Sequence, residues 1–426
     1  MSSCTHSLAR RRGFDAWPTL LRLSLRYSDM TSIMDFLDRS RPMSEFVRFA
    51  REMLPIVRKR IYLDNAGLAP ISIFVRDAIV RIIDARCMHG KDNMRNERTR
   101  SLLRGHRYAA ELLNASEEEI ALTHNTTEGL NIVAQGFPWR PGDNLLLPDN
   151  EFPANVYPWL ALRQKGVEVR RVPTRAGAFS VDDIAPMIDG RTRMLSISHV
   201  GYISGFRADL EAIGRLCHER GVRFVVDAAQ SMGVLDIDVQ SGHIDALASG
   251  SWKWLMGPTG VGLLFVSNGF LDELQPTYIG AGSMQAGEGN PAVLPGPFVP
   301  GARRFEISTE ATVAVAGLTA AMAQIRAVGV DRIQERVAAM VRYLRNELRH
   351  LGYEIAGDTG DDEHLAGIVS ARLPGLPLEQ LRERLTANQI TCGAWHGYVR
   401  FAPHYYNTWE ELEILTTVLA EATAAR

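Results

Sequence analysis

Three short stretches of the 426-residue chain carry side chains that could do chemistry together. The first is Val225-Val226-Asp227-Ala228-Ala229-Gln230, an apolar run that ends in a carboxylate. The second is Ser249-Gly250-Ser251-Trp252-Lys253-Trp254, a lysine set after small residues and followed by Gly257-Pro258-Thr259-Gly260. The third is His124-Asn125-Thr126-Thr127-Glu128-Gly129, a hydroxyl-rich turn that opens a helix. A carboxylate at the carboxyl end of a parallel strand lies where open α/β sheets bind ligands. A hydroxyl turn at a helix N-terminus offers N–H groups and a positive dipole end to a phosphate. A desolvated lysine loses its proton more easily and can attack an aldehyde to form a Schiff base. Taken singly, each stretch has an ordinary reading. An Asp at a strand end is commonly a helix cap, Thr-Thr-Glu is a capping pattern, and a lysine between tryptophans is often a surface residue. In combination, the phosphate cup, carboxylate and lysine describe a site for pyridoxal 5'-phosphate. Lys253 is then the Schiff-base lysine, and Asp227 keeps the ring nitrogen protonated.

The elements that must position these groups alternate along the chain. Short apolar runs predict strands at 119–123, 144–147, 167–172, 194–198, 223–227, 246–248 and 261–266. Helix-length segments separate most of them, at 127–135, 154–165, 181–188 and 210–220. This alternation predicts an α/β fold with a mainly parallel seven-stranded sheet and right-handed crossovers. Residues 268–310 are rich in Gly and Pro, and a loop of that length is functional or lies at an interface. Two long helices follow at about 312–327 and 330–351. A smaller α/β segment comes last, with strands near 367–371 and 399–401 and helices near 378–388 and 409–425. The expected organisation is an N-terminal extension over 1–42, an amphipathic arm over 43–60, a large domain over 61–310 and a small C-terminal domain over 311–426.

Composition narrows the class. Apolar residues make up 46% and charged residues 23%, so a large core can be buried. Lys plus Arg number 47 against 49 acids, a balance that does not suggest a nucleic-acid partner. Four cysteines exclude a disulfide scaffold, and no pair has the CxxC spacing of a structural metal site. No uncharged apolar run reaches the roughly 18 residues of a membrane helix. Residues 1–60 are basic, and Arg11-Arg12-Gly13-Phe14 has the form of a twin-arginine export signal. Asp15, Arg22 and Arg26 interrupt the apolar stretch such a signal needs. A start codon placed too early, with Met30, Met34 and Met43 downstream, is an equally plain reading. The expectation is a cytoplasmic protein without a metal or a membrane partner.

Further motifs accompany the first three. They are Tyr62-Leu63-Asp64-Asn65-Ala66-Gly67, Glu151-Phe152-Pro153-Ala154-Asn155 with Pro158-Trp159, Ser198-His199-Val200, Phe305-Glu306-Ile307-Ser308-Thr309, and Arg400 with Tyr406-Asn407-Thr408. From about Ile61 to Ala420 this set resembles the class V aminotransferase family of fold type I pyridoxal phosphate enzymes. That family includes cysteine desulfurases and isopenicillin N epimerase-like proteins. The resemblance implies a homodimer acting on a small-molecule amino acid. Phe152 would stack on the cofactor ring, and Gln230 would meet the ring hydroxyl. Thr126, Thr127 and Ser251 would contact the phosphate, joined by Thr309 from the partner subunit. Arg400 would hold the substrate carboxylate, with Tyr202 beside it.

The sequence also departs from the family. Phe152 stands where desulfurases stack a histidine, and Trp252 where many members have one. Tyr202 replaces an asparagine found in some. The segment before Arg400 lacks the Arg-x-Gly-x-x-Cys pattern of one desulfurase branch and reads as a short loop carrying Cys392. The reaction expected is elimination of the C–S type without a persulfide cysteine, or amino-group transfer. Racemisation, and a non-catalytic binding module retaining the fold, are the alternatives. His199 reads as structural, Cys87 and Cys217 as buried thiols, and His404 and Tyr405 as surface residues.

Overall fold

The computed structural model describes residues 41–91, 94–285, 296–360 and 362–424, with the side chains of 94–100 left aside. The expectations for residues 1–40, among them the Arg11-Arg12 signal, lie outside the described residues. In chain order the strands are β1 (Ile61–Leu63), β2 (Ile120–Thr123), β3 (Asn144–Pro148), β4 (Glu168–Val172), β5 (Thr192–Ser198) and β6 (Arg223–Asp227). They continue as β7 (Ala246–Gly250), β8 (Gly262–Val266), β9 (Glu354–Ile355), β10 (Val369–Arg372), β11 (Ile390–Trp395) and β12 (Tyr398–Phe401).

The larger sheet has seven strands in the order β2-β8-β7-β6-β5-β3-β4. Only β8 opposes its neighbours; the remaining pairings are parallel. The expected mainly parallel sheet is therefore present, and each predicted strand lies within two residues of an observed one. Its central strands are continuous apolar runs because both faces are covered. Leu146, Leu195, Phe224, Val226, Leu247 and Leu263 pack on one face. Leu145, Leu147, Met194, Val225, Ala246 and Leu264 pack on the other. The period-two alternation of strand side chains divides them this way.

The smaller sheet runs β1-β11-β12-β10-β9, with β1 parallel to β11 and the rest antiparallel. Its core takes Ile333, Val337, Met340 and Leu344 from helix Val330–His350, and Phe46, Ala50 and Leu54 from the arm. Two memberships differ from the sequence expectation. Residues 61–63, grouped with the large domain, hydrogen-bond into the smaller sheet. Helix Thr312–Val328, grouped with the small domain, places Val315, Leu318 and Met322 in the core of the larger sheet. The apolar side chains of this helix are not confined to one stripe, so the sequence does not show which layer it joins. The helix expected over 154–165 is broken into short turns around Pro158, which cannot donate the helical hydrogen bond.

Helix Thr126–Gly136 follows β2 and rests on the sheet beside β7. Asn125 caps it, accepting the Glu128 N–H at 2.9 Å. Gly129 permits the close approach, because a Cβ there would come within 2.8 Å of Ala248 Cβ. Replacing Gly129 by Ala should lift the helix from the sheet and cost about 1–3 kcal/mol of stability. Thermal unfolding of Gly129→Ala should show a lowered midpoint; an unchanged midpoint would mean that this contact does not seat the helix.

Candidate active site

The carboxyl ends of the parallel strands form one edge, and the chemistry collects there. The register pairs Ser198 of β5 with Asp227 of β6, and Asp227 with Ala248 of β7. Gly250, the last residue of β7, pairs with Gly262, which in turn pairs with Thr123 at the end of β2. Ser198, Asp227, Ala248, Gly250 and Thr123 thus lie along one rim, and the small residues among them leave room above it. Asp227 is buried. Its Oδ1 accepts the Ala229 N–H at 2.8 Å. Burial raises its pKa, while the Ala229 N–H and the charge of Lys253 oppose the rise.

Lys253 follows β7 in the turn that leads to β8. Burial lowers its pKa to about 8, against an opposing pull from Asp227, and the nearby positive charge of Arg400 lowers it further. A large share of the amine is therefore neutral slightly above neutral pH. Nζ lies 5.7 Å from the centre of the Phe152 ring. Trp254, its neighbour in sequence, is wholly buried and donates its indole N–H to Gln230 Oε1 at 2.9 Å. The lysine is thus anchored in the core and is not a surface residue.

Arg400 on β12 is 2% exposed. Nη1 donates to the Tyr202 carbonyl at 2.9 Å, and Nη2 reaches Asp64 Oδ1 at 3.4 Å. Nε is buried with no hydrogen-bond partner among the described residues. A buried guanidinium with a donor to spare suits a carboxylate, which it can grip in a fork. Phe152, Tyr202 and Trp395 surround this end. The Phe152 and Tyr202 ring centres are 5.1 Å apart, and both lie near Trp395, at 6.4 and 6.2 Å.

The structure brings together Lys253, Asp227, Phe152, Tyr202 and Arg400, with Thr126 and Thr127 in the first turn of the capped helix. Other expectations change. The Ser251 hydroxyl donates to the Pro258 carbonyl, so its one proton is not available to a phosphate. Gln230 is tied to Trp254 and, through Nε2, to the Ala66 carbonyl at 3.0 Å. One amide hydrogen is left for a ring hydroxyl. Thr309 is exposed and lines a separate cavity of about 740 Å³ with His106 and Glu306. His404 and Tyr405, expected at the surface, are fully buried; His404 bridges the Trp254 carbonyl and the Tyr405 N–H. Cys87, expected to be buried, is exposed. Cys392 lies in β11 opposite Leu63 rather than in a loop. The Ile390–Trp395 segment pairs as a strand on both sides, which the Gly393 in its middle disguised.

Two functional neighbours were not assigned a role from sequence. Asp64 is the ion-pair partner of Arg400. Glu151 is held by the Ser198 N–H and hydroxyl and is pushed up to about 7, by burial first and by Asp227 in a smaller part. Both lie inside motifs that the sequence does display.

A desolvated amine, a buried carboxylate and a capped helix start along one sheet edge fit pyridoxal phosphate, as does the spare donor of Arg400 for an amino-acid carboxylate. Fold and site together define a pyridoxal-phosphate-dependent enzyme of fold type I. The chain belongs to the class V aminotransferase family, whose sequence profile (Aminotransferase class-V) matches residues 61–415. A probable cysteine desulfurase of Methanothermobacter thermautotrophicus is 31% identical over 394 residues, covering 87% of this chain and 96% of that one. The apo structure of a cysteine desulfurase from Thermococcus onnurineus NA1 superposes with a TM-score of 0.81 at 26% identity, over 89% of this chain and 98% of that one. The cystine C–S lyase C-DES, solved with its product cysteine persulfide, superposes at 0.80 and 26% identity, over 86% and 99%.

When bound, the cofactor supplies an aldehyde for the lysine and a protonated ring that withdraws electrons from the substrate α-carbon. Asp227 would hold the proton at the ring nitrogen, and the Thr126 and Thr127 N–H groups would meet the phosphate. Phe152 would cover the ring, and Arg400 would orient the carboxylate. Lys253 Nζ, once free, would take the α-proton. Because only the neutral amine attacks an aldehyde, capture of the cofactor by the apoprotein should quicken as pH rises through about 8. Stopped-flow absorbance across that range checks this; a flat profile would contradict a depressed lysine. Arg400→Lys should weaken amino-acid binding by about tenfold or more, since a point charge cannot copy the fork. Titration with an amino acid and with the matching amine separates the two: the amine, lacking a carboxylate, should lose far less.

Proposed function

We propose that the chain cleaves the carbon–sulfur bond of a sulfur-bearing α-amino acid by β-elimination, with the sulfur leaving on a small molecule. The observation that carries this reading is the state of the cysteines. A persulfide-forming desulfurase needs an exposed thiolate of low pKa on a mobile loop. Cys392, near Arg400, is fixed in β11, and burial, reinforced by Asp64, pushes its thiol up to about 12. The Cys217 thiol is likewise pushed to about 12 by burial. Cys87 is exposed but sits in the last turn of helix Ile73–His89. Cys4 lies outside the described residues. The relatives support carbon–sulfur chemistry, since both the desulfurases and the cystine lyase are named for it.

In this reading Lys253 removes the α-proton, and the carbon–sulfur bond breaks with its electron pair departing on sulfur. The three-carbon remainder takes up water and leaves as pyruvate and ammonia. The working unit is a homodimer, which the exposed apolar side chains Leu68, Ile71, Val80, Ile83 and Leu103 support. Thr309 would then reach the neighbouring subunit's phosphate.

The products decide the matter. Elimination yields pyruvate and ammonia, persulfide transfer yields alanine, and amino-group transfer yields a keto acid that keeps its sulfur. The expected outcome is pyruvate in the wild type and undiminished pyruvate in Cys392→Ser. Alanine as the product, with labelled persulfide on Cys392, would replace elimination by desulfuration.

A further inference from the structure

The aromatic side chains near Arg400 form more than a wall. Phe152, Tyr202 and Trp395 meet edge to face, at interplanar angles of 73°, 75° and 88°. Tyr202 also meets His396, whose Nε2 lies 3.2 Å from the Tyr202 hydroxyl. The Arg400 guanidinium carbon lies 5.7 Å from the Trp395 ring centre, and Lys253 Nζ lies 5.7 Å from that of Phe152. The rings therefore bridge the carboxylate-holding arginine and the proton-accepting lysine.

The support is fixed. Trp395 pairs with Tyr398 across a two-residue turn, His396-Gly397, in which both residues have positive φ, 49° and 84°. That is the requirement of a tight hairpin whose twist matches its strands. Trp395 is 42% exposed, so one side of the ring is left for another group. Beside the cluster, Tyr202 and His396 border a cavity of about 520 Å³, whose lining does not include Phe152 or Trp395. Asp149 and Asp358 line the same cavity, with Glu151 partly ionised near neutral pH, and together they disfavour a second carboxylate there.

We propose that this recess receives the group carried on the substrate's sulfur, and that the substrate class is a cysteine bearing an uncharged aryl or similarly flat apolar substituent, not cysteine itself. The inference rests on the elimination reading and deepens it. A bare thiol would leave most of the ring surface without partner atoms, whereas a flat apolar group fills it with edge and face contacts. The step balances without an oxidant. The α-proton passes to Lys253 Nζ, the Cβ–S bond breaks with its pair on sulfur, and the arenethiolate leaves. With one water, the remainder becomes pyruvate and ammonia.

Binding and chemistry are tested separately on the cofactor-loaded enzyme. Homophenylalanine is S-phenylcysteine with CH₂ in place of sulfur, and 2-aminopentanoate is the same isostere of S-methylcysteine. Both can bind, and neither can eliminate. Titrated by the change in cofactor absorbance, homophenylalanine should bind about tenfold more tightly than 2-aminopentanoate or better. That ratio should fall toward unity in Trp395→Ala. In Trp395→Leu, which keeps apolar volume without the ring, it should be intermediate. A wild-type ratio near unity, or a ratio that neither substitution moves, overturns the recess. Pyruvate release from S-phenylcysteine should exceed that from cysteine in kcat/KM by a similar factor. If the binding ratio holds but no substrate gives pyruvate, the recess stands and the elimination reading falls. If cysteine is turned over as well as S-phenylcysteine, the assigned substrate class is wrong.

Discussion

The site depends on holding an amine out of water beside a carboxylate that is also out of water. Neither state is comfortable alone. Burial pushes the Lys253 amine toward neutrality and drives the Asp227 acid toward protonation, while each charge pulls the other back. The result is a lysine poised near the pH at which it works and a carboxylate kept close to it. The larger sheet exists, functionally, to enforce that arrangement. Its inner strands are largely apolar on both faces, and Asp227 stands at the rim where they end.

Further charges surround this pair. Glu151 shares the desolvated region and is lifted to about 7, so it carries only part of its negative charge near neutral pH. Arg400 faces the opposite way, toward Asp64 and the Tyr202 carbonyl, and keeps Nε unpaired. A buried cation with an unfilled donor is costly unless a ligand completes it. A carboxylate bound at Arg400 would relieve that deficit.

Much of this was legible in the sequence, for physical reasons that differ by element. Strands β2 to β8 announce themselves as apolar runs because parallel strands are buried on both faces. Asp227 and Lys253 stand out only in combination with the hydroxyl turn at Thr126, since each alone has an ordinary reading as a cap or a surface residue. β11 was hidden, since Thr391-Cys392-Gly393 weakens the strand signal and its first partner, β1, is only three residues long. The Ser251 and Gln230 hydrogen bonds were also hidden, because packing, not residue type, chooses between a ligand and the Pro258 carbonyl or the Trp254 indole. The ring cluster was out of reach for a simpler reason: Phe152, Tyr202 and Trp395 are far apart in sequence, and no local pattern joins them.

The pairing of β1 with β11 sets Ile61 against Ile390, near opposite ends of the chain. Asp64, just after β1, meets Arg400 across the same seam. On a ribosome the first of these strands emerges long before its partner is made. Asp227, Lys253 and the strands that carry them all precede Arg400 in the chain. Closing a contact of such long range is also the slow part of folding. The contact that sets Asp64 against Arg400 therefore closes only after every strand of the larger sheet has been made.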